Sequence, residues 1–225
     1  PHPALKVSSP QASPADMFLG DDFHHNGAFR LSYAFEYAYL VENIKESLSL
    51  FPFPQYDVFD WYLNLGGLSN VNEKYFKGKF SSWNDFVEHP NYDNYWKHQS
   101  SLTNIHAPEI PVLHVGGYYD PEDLMGPQVM YEHLEKKDTS NKNYMILGPW
   151  NHGQWSDEDG NTLGKIQFGS NTSEWFQDFE KKWFDYWLKG IGDGKFDEVY
   201  AFQTGSNTWK SYDAWAPKNA TIKRL

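Results

Sequence analysis

The spacing of apolar positions changes several times along the chain, and each change marks an element. Residues 4–9, "ALKVSS", form a short apolar run closed by "PQASP", the pattern of a buried strand emptying into a loop. From Asp16 to about Leu102 the period becomes helical: "AFRLSYAFEYAYLVENI" sets Phe29, Tyr33, Tyr37, Leu40 and Ile44 on one stripe, and Pro-broken aromatic pieces such as "FPFPQYDVFDWYLNLGG" follow. This predicts a mostly helical insertion. "IPVLHVGGYYD" (110–120) is again a continuous apolar run, ending at Gly-Gly. "GPQVMYEHLEKKD" then places Val129, Met130, His133 and Leu134 at the spacing of a surface helix, and "NYMILGPW" repeats the buried-strand pattern. Strand, helix, strand in that order predicts parallel α/β architecture. Trp175, Phe179, Trp183 and Trp187 form the stripe of a further helix, with Ser173 to cap its start and Gly190 to end it. The last thirty or so residues switch to short alternating strands with Gly/Asn turns, the opening of a β-rich element. The expected organisation is an α/β portion over 1–15 and 103–192, a helical insertion over 16–102, and the start of a β domain over 193–225.

Charge narrows the partners. Against 19 Lys+Arg the chain carries 30 Asp+Glu, a formal charge of −11 without a basic run, which disfavours nucleic acid. Aromatic residues make up 18 % of the chain, with 10 Trp and 15 Tyr, which fits either a large core or a ring-lined pocket. The absence of cysteine excludes disulfides, thiolate nucleophiles and Cys-based metal sites, and leaves the compartment open. No apolar stretch approaches the roughly 18 residues that span a membrane. The opening "PHPALKVSSP" has neither an initiator Met nor a signal pattern, and reads as the start of a piece cut from a longer chain.

In doubly wound sheets, ligands and catalytic groups collect at the carboxyl ends of parallel strands. Asp120, after "VGGYY", and His152, after "ILGPWN", both fall there. One helix and one strand separate them, so neighbouring strands would raise both from the same sheet edge within hydrogen-bonding reach. That is the acid–base half of a nucleophile–His–Asp triad, in the chain order of α/β-hydrolases. The residues alone leave a second reading open, in which His152 is a capping residue and Asp120 a turn residue. No G-x-S-x-G elbow accompanies them: "GLSNV" (67–71) lacks the second Gly, and Ser8 and Ser9 lack a Gly-bounded turn. Asp21, Asp22, His24 and His25 in "GDDFHHNG" have the composition of a divalent-metal site but the spacing of solvated or capping residues, so no metal or other cofactor is expected.

"HPALKVSSPQAS", "GDDFHHNGAF", "HPNYDNYW", "IPVLHVGGYYDPEDLMGPQVMYEHLE" and "NYMILGPWNHGQW", in this order, resemble the CocE/NonD-type hydrolases. This group includes cocaine esterase, α-amino acid ester hydrolase and glutaryl acylase, and is close to the X-Pro dipeptidyl-peptidases. The resemblance implies a partial α/β-hydrolase fold with an inserted helical cap, followed by the first strands of a jelly-roll-like β domain. It implies Asp120 as triad acid, His152 as triad base, and "GDDFHHNG" as a cap-entry loop. It also implies a nucleophile serine, in a Gly-x-Ser-Tyr-x-Gly elbow, and an oxyanion tyrosine, both upstream of Pro1, so that the isolated chain is expected to be inactive. Substrates would be small esters or amides (acyl, aminoacyl or X-Pro dipeptidyl). Asp93 has two readings, as a carboxylate holding a substrate ammonium or as a hydrogen-bonding anchor of the cap; Trp150 would line an acyl pocket. A competing function is a non-catalytic module binding glycans or peptides through exposed aromatics. A half sheet with a bare strand edge would self-associate, giving a homo-oligomer.

Overall fold

The computed structural model of the protein describes residues 2–45, 47–157, 159–221 and 223–224. The chain divides into two units, Met17–Gln99 and Pro1–Asp16 with Ser100–Leu225.

The Met17–Gln99 unit opens with a small antiparallel hairpin, β1 (His24–His25) and β2 (Ala28–Phe29). Helices α1 (Leu31–Glu42), α2 (Val58–Leu65), α3 (Ser81–Glu88) and α4 (Asn94–Gln99) follow, with a π-helical turn over Val71–Phe76. Its core is aromatic: Phe35 stacks on Phe76 at 4.7 Å, and Trp61, Trp83, Phe86 and Trp96 close around them. Helix α1 buries Ala34, Phe35 and Ala38, whereas Tyr37 and Ile44 of the expected stripe are exposed. The small alanines let the α1 backbone approach the ring cluster, while Tyr33 and Tyr39 pack against its margin and Tyr37 stays exposed.

The second unit is built on a sheet. Strand β3 (Val112–Gly117) leads to α5 (Met125–Glu135) and β4 (Asn143–Gly148). A two-residue hairpin, β5 (Thr162–Leu163) and β6 (Ile166–Gln167), precedes α6 (Thr172–Lys189), β7 (Val199–Gln203) and β8 (Thr208–Tyr212). The sheet order is β3-β4-β7-β8, parallel between β3, β4 and β7, with β8 antiparallel to β7. Residues 8 and 11 add parallel bridges to Val112 and Val115, so the first apolar run lies alongside β3. Alternation along β3 and β4 sorts their side chains. Leu113, Val115, Tyr144 and Ile146 share a cluster with Phe176 and Trp183 of α6, while Met145 and Leu147 pack with Tyr131 of α5. Helices on both faces explain why these strands read as unbroken apolar runs.

Residues 193–225 supply β7 and β8 of this same sheet. β8, at the sheet edge, is half exposed, whereas β7, between β4 and β8, is mostly buried. Ser173 is not the cap of α6: the helix starts one residue earlier, Asn171 Oδ1 accepts the Glu174 N–H at 3.2 Å, and Ser173 Oγ donates to the Gln154 carbonyl at 2.7 Å. Gly190 does end the helix in the left-handed region. Among the described residues no helix is long and apolar enough to cross a membrane.

Candidate active site

Strands β3 and β4 run in register from Val112↔Asn143 to Gly117↔Gly148, so their carboxyl ends finish side by side. Both ends are glycines for a steric reason. A Cβ on Gly117 would lie 2.3 Å from the Trp150 carbonyl oxygen, and one on Gly148 would lie 2.2 Å from the Trp150 ring. With both absent, the Tyr118 and Tyr119 N–H groups donate to the Gly148 and Trp150 carbonyls at 2.9 Å each, joining the two loops. Past that junction the β4 loop turns: the Gln154 N–H donates to the Asn151 carbonyl at 3.3 Å, with Gly153 at φ 82°, the value that the third residue of a type II turn requires. His152 sits at the second position of this turn.

The two loops bring Asp120 and His152 together, Oδ2 to Nδ1 at 3.0 Å. The Asp120 side chain is wholly buried, and its Oδ1 accepts from the Glu122 and Asp123 N–H groups at 2.8 and 3.1 Å. One oxygen is therefore fixed by backbone while the other faces the imidazole. The His152 side chain is 46 % exposed, with Nε2 at the ring edge opposite the carboxylate. A buried anion fixed on Nδ1 selects the tautomer whose Nε2 lone pair is open, the arrangement of a general base.

Two further carboxylates lie against the same nitrogen, which reasoning from sequence passed over: Glu122 Oε2 at 3.4 Å and Asp123 Oδ2 at 3.6 Å. The signal was present in "DPED", where acidic residues follow Asp120 at i+2 and i+3. Asp120, Glu122 and His152 each place one ligand atom within 4.8 Å of the others, a set that could hold a divalent cation in competition with the Nδ1 proton.

The other expected site residues have these surroundings. Trp150 is fully buried, its Nε1 donating to Thr172 Oγ1 at 2.9 Å and its ring packed against Trp155, Phe176 and Trp209. It is a core residue that supports the loop rather than a pocket wall. Asp93 belongs to the helical unit, where its Oδ2 contacts His89 Nδ1 at 2.7 Å and its Oδ1 accepts the Tyr95 N–H at 2.9 Å. His89 beside it holds its carboxyl below the usual range. His24 stacks on Phe18 at 4.2 Å, and burial pushes its imidazole down, while His25 is exposed; these two and Asp21 and Asp22 form no joint metal-ligand cluster among the described residues.

The family model for X-Pro dipeptidyl-peptidase (S15 family) matches residues 1–154, a span that contains both Asp120 and His152. The chain belongs to the S15 family. Two solved structures are similar over nearly all of it. An aminopeptidase from the marine sediment archaeon Thaumarchaeota archaeon is 35 % identical, with a TM-score of 0.91, over 97 % of this chain and 36 % of its own. An α-amino acid ester hydrolase is 28 % identical, with a TM-score of 0.88, over 96 % of this chain and 36 % of its own. This S15 chain thus spans about a third of the length of the solved relatives it matches. These likenesses bear out the mixed α/β fold of a CocE/NonD-type hydrolase domain. No curated protein matches.

Proposed function

We propose that this chain carries the acid–base half of a serine hydrolase that cleaves esters or amides of substrates with a free α-amino group. The carrying observation is the 3.0 Å contact between His152 Nδ1 and a buried Asp120 whose second oxygen is held by two backbone N–H groups. In this reading His152 Nε2 takes the proton of a serine hydroxyl as it attacks the substrate carbonyl. It returns that proton to the leaving group, then repeats both transfers with water to release the acid. Asp120 orients the ring and stabilises the imidazolium. This reading calls for a serine supplied from elsewhere, since among the described residues no serine hydroxyl hydrogen-bonds to His152.

The amino preference follows from charge. Asp120, Glu122 and Asp123 crowd one imidazole nitrogen, so the surroundings of the base are strongly electronegative and favour a cationic substrate end. The names of the two similar structures, an aminopeptidase and an α-amino acid ester hydrolase, support the same class. The competing function, glycan or peptide binding through exposed rings, would rest on Tyr37, Tyr56, Phe59, Tyr75 and Tyr119, since Trp83, Trp96, Trp150 and Trp183 are fully buried; it has less support, because no comparison points to it. Treating the chain with a fluorophosphonate probe tests the division of the triad. No stable adduct is expected, and a serine adduct would overturn it.

A further inference from the structure

An imidazole held by one hydrogen bond can still pivot about that bond, and a general base must present Nε2 in one direction. A second contact restrains the His152 ring. Trp155, 3 % exposed, meets it edge-on, with ring centres 6.3 Å apart and planes inclined at 63°. Trp155 is itself fixed: its Nε1 donates to Gln11 Oε1 at 2.7 Å, and its ring packs on Trp150 at 5.9 Å. The indole can only donate and a carboxylate oxygen accepts, so the partners of Gln11 dictate its amide orientation. Its carbonyl takes Trp155, and its Nε2 donates to Glu180 Oε1 at 2.5 Å. Ser9 Oγ donates to the same oxygen at 3.3 Å. Glu180 lies on α6, and burial raises its carboxyl. The Gln11 backbone meanwhile bridges Val115 of β3, the strand that leads to Asp120.

We infer that Gln11 is a positioning residue for His152: it ties Trp155, and through it the plane of the imidazole, to the strand bearing the acid and to α6. This rests on the reading of Asp120 and His152 as an acid–base pair. Gln11 touches neither substrate nor reacting atom; it removes a degree of freedom from the base.

Proton NMR of the chain tests the inference. The Nδ1 proton that a buried carboxylate holds gives a slowly exchanging downfield resonance, assigned by its loss in His152→Gln. Gln11→Met and Trp155→Phe each delete one end of the same hydrogen bond. Each is expected to speed exchange of that proton about fivefold, the factor carried by a net hydrogen bond of ~1 kcal/mol, and the double variant to be no faster than either single one. Trp155→Phe keeps a ring in place, so it decides the matter if Gln11→Met lowers thermal stability. Unchanged exchange in Trp155→Phe, with the resonance lost in Asp120→Asn, overturns the role of Gln11 alone. A resonance missing from the unsubstituted chain, or indifferent to Asp120→Asn, overturns the acid–base pair and the inference with it.

Discussion

The N–H of Tyr119 donates to the carbonyl of Trp150 at 2.9 Å, and this bond joins the loop that delivers Asp120 to the loop that delivers His152. It forms only because the β3 end carries no side chain at Gly117, where a Cβ would stand 2.3 Å from that same carbonyl oxygen. Gly117→Ala should therefore lower stability by about 1–3 kcal/mol through overpacking and lengthen the Asp120–His152 contact. Thermal unfolding and the downfield Nδ1 proton of His152 report the two effects. Gly153→Ala has open space around its Cβ but must hold φ 82°, so a smaller loss, on the order of 1 kcal/mol, is expected there.

Substrate charge separates Glu122 from Asp93. If Glu122, 3.4 Å from His152 Nδ1, helps to make the site electronegative, Glu122→Gln should reduce kcat/KM for an α-aminoacyl ester by about 10-fold or more. The N-acetylated ester should change little. Asp93→Asn should leave the ratio of the two substrates as it was, since Asp93 is engaged with His89 and the Tyr95 N–H. The comparison is made on a form of the protein that turns over the ester, and equal effects of the two substitutions would contradict it.

Acid sensitivity should arise from a buried histidine beneath the site. His114, on β3, is buried with neither ring nitrogen hydrogen-bonded, and burial outweighs the nearby Asn143 side chain to hold its imidazole down at about 4. The unfolded chain binds this proton near pH 6.5 while the folded one refuses it until about 4, so stability is full above 6.5 and falls as pH drops through that window. The loss from this group amounts to about 3 kcal/mol. Thermal unfolding between pH 7 and 4.5 should show a decline that His114→Leu flattens; an unchanged decline in that variant would assign the acid sensitivity elsewhere.

The α6 start offers a local check. Asn171→Ala should cost about 1 kcal/mol, since Asn171 Oδ1 accepts from both Glu174 and Gly160 N–H groups. Ser173→Ala should act differently, by leaving the Gln154 carbonyl without its 2.7 Å donor and loosening the turn that holds His152.

Parallel strands, their helices and the approach of Asp120 to His152 were legible in the sequence because each rests on local pattern. "IPVLHVGGYYD" and "NYMILGPW" are apolar on both faces because α5 and α6 cover both, and the chain order then dictates that Asp120 and His152 share an edge. What depends on three-dimensional neighbours was not legible. The buried face of α1 is chosen by the fit of Ala34 and Ala38 to a ring cluster, which ring spacing alone misassigns. Strands β7 and β8 alternate like the start of a new sheet, although β7 pairs with β4. Trp150, two positions before His152 in sequence, turns inward to Thr172, and Gln11, 141 positions before His152, bonds Trp155 of the same loop. The acidic pair Glu122 and Asp123 was visible as composition but lacked meaning until the loop folded it onto one nitrogen.

The central claim is that Asp120 and His152 work as one acid–base unit. The most direct test is kcat for hydrolysis of an α-aminoacyl ester by a form of the protein that turns it over, with His152→Ala, Asp120→Asn and the double variant. The account predicts that each single substitution lowers kcat by roughly 10³–10⁴-fold and that the double variant is little worse than His152→Ala alone. A loss below about tenfold in either single variant, or additive losses in the double, would contradict it.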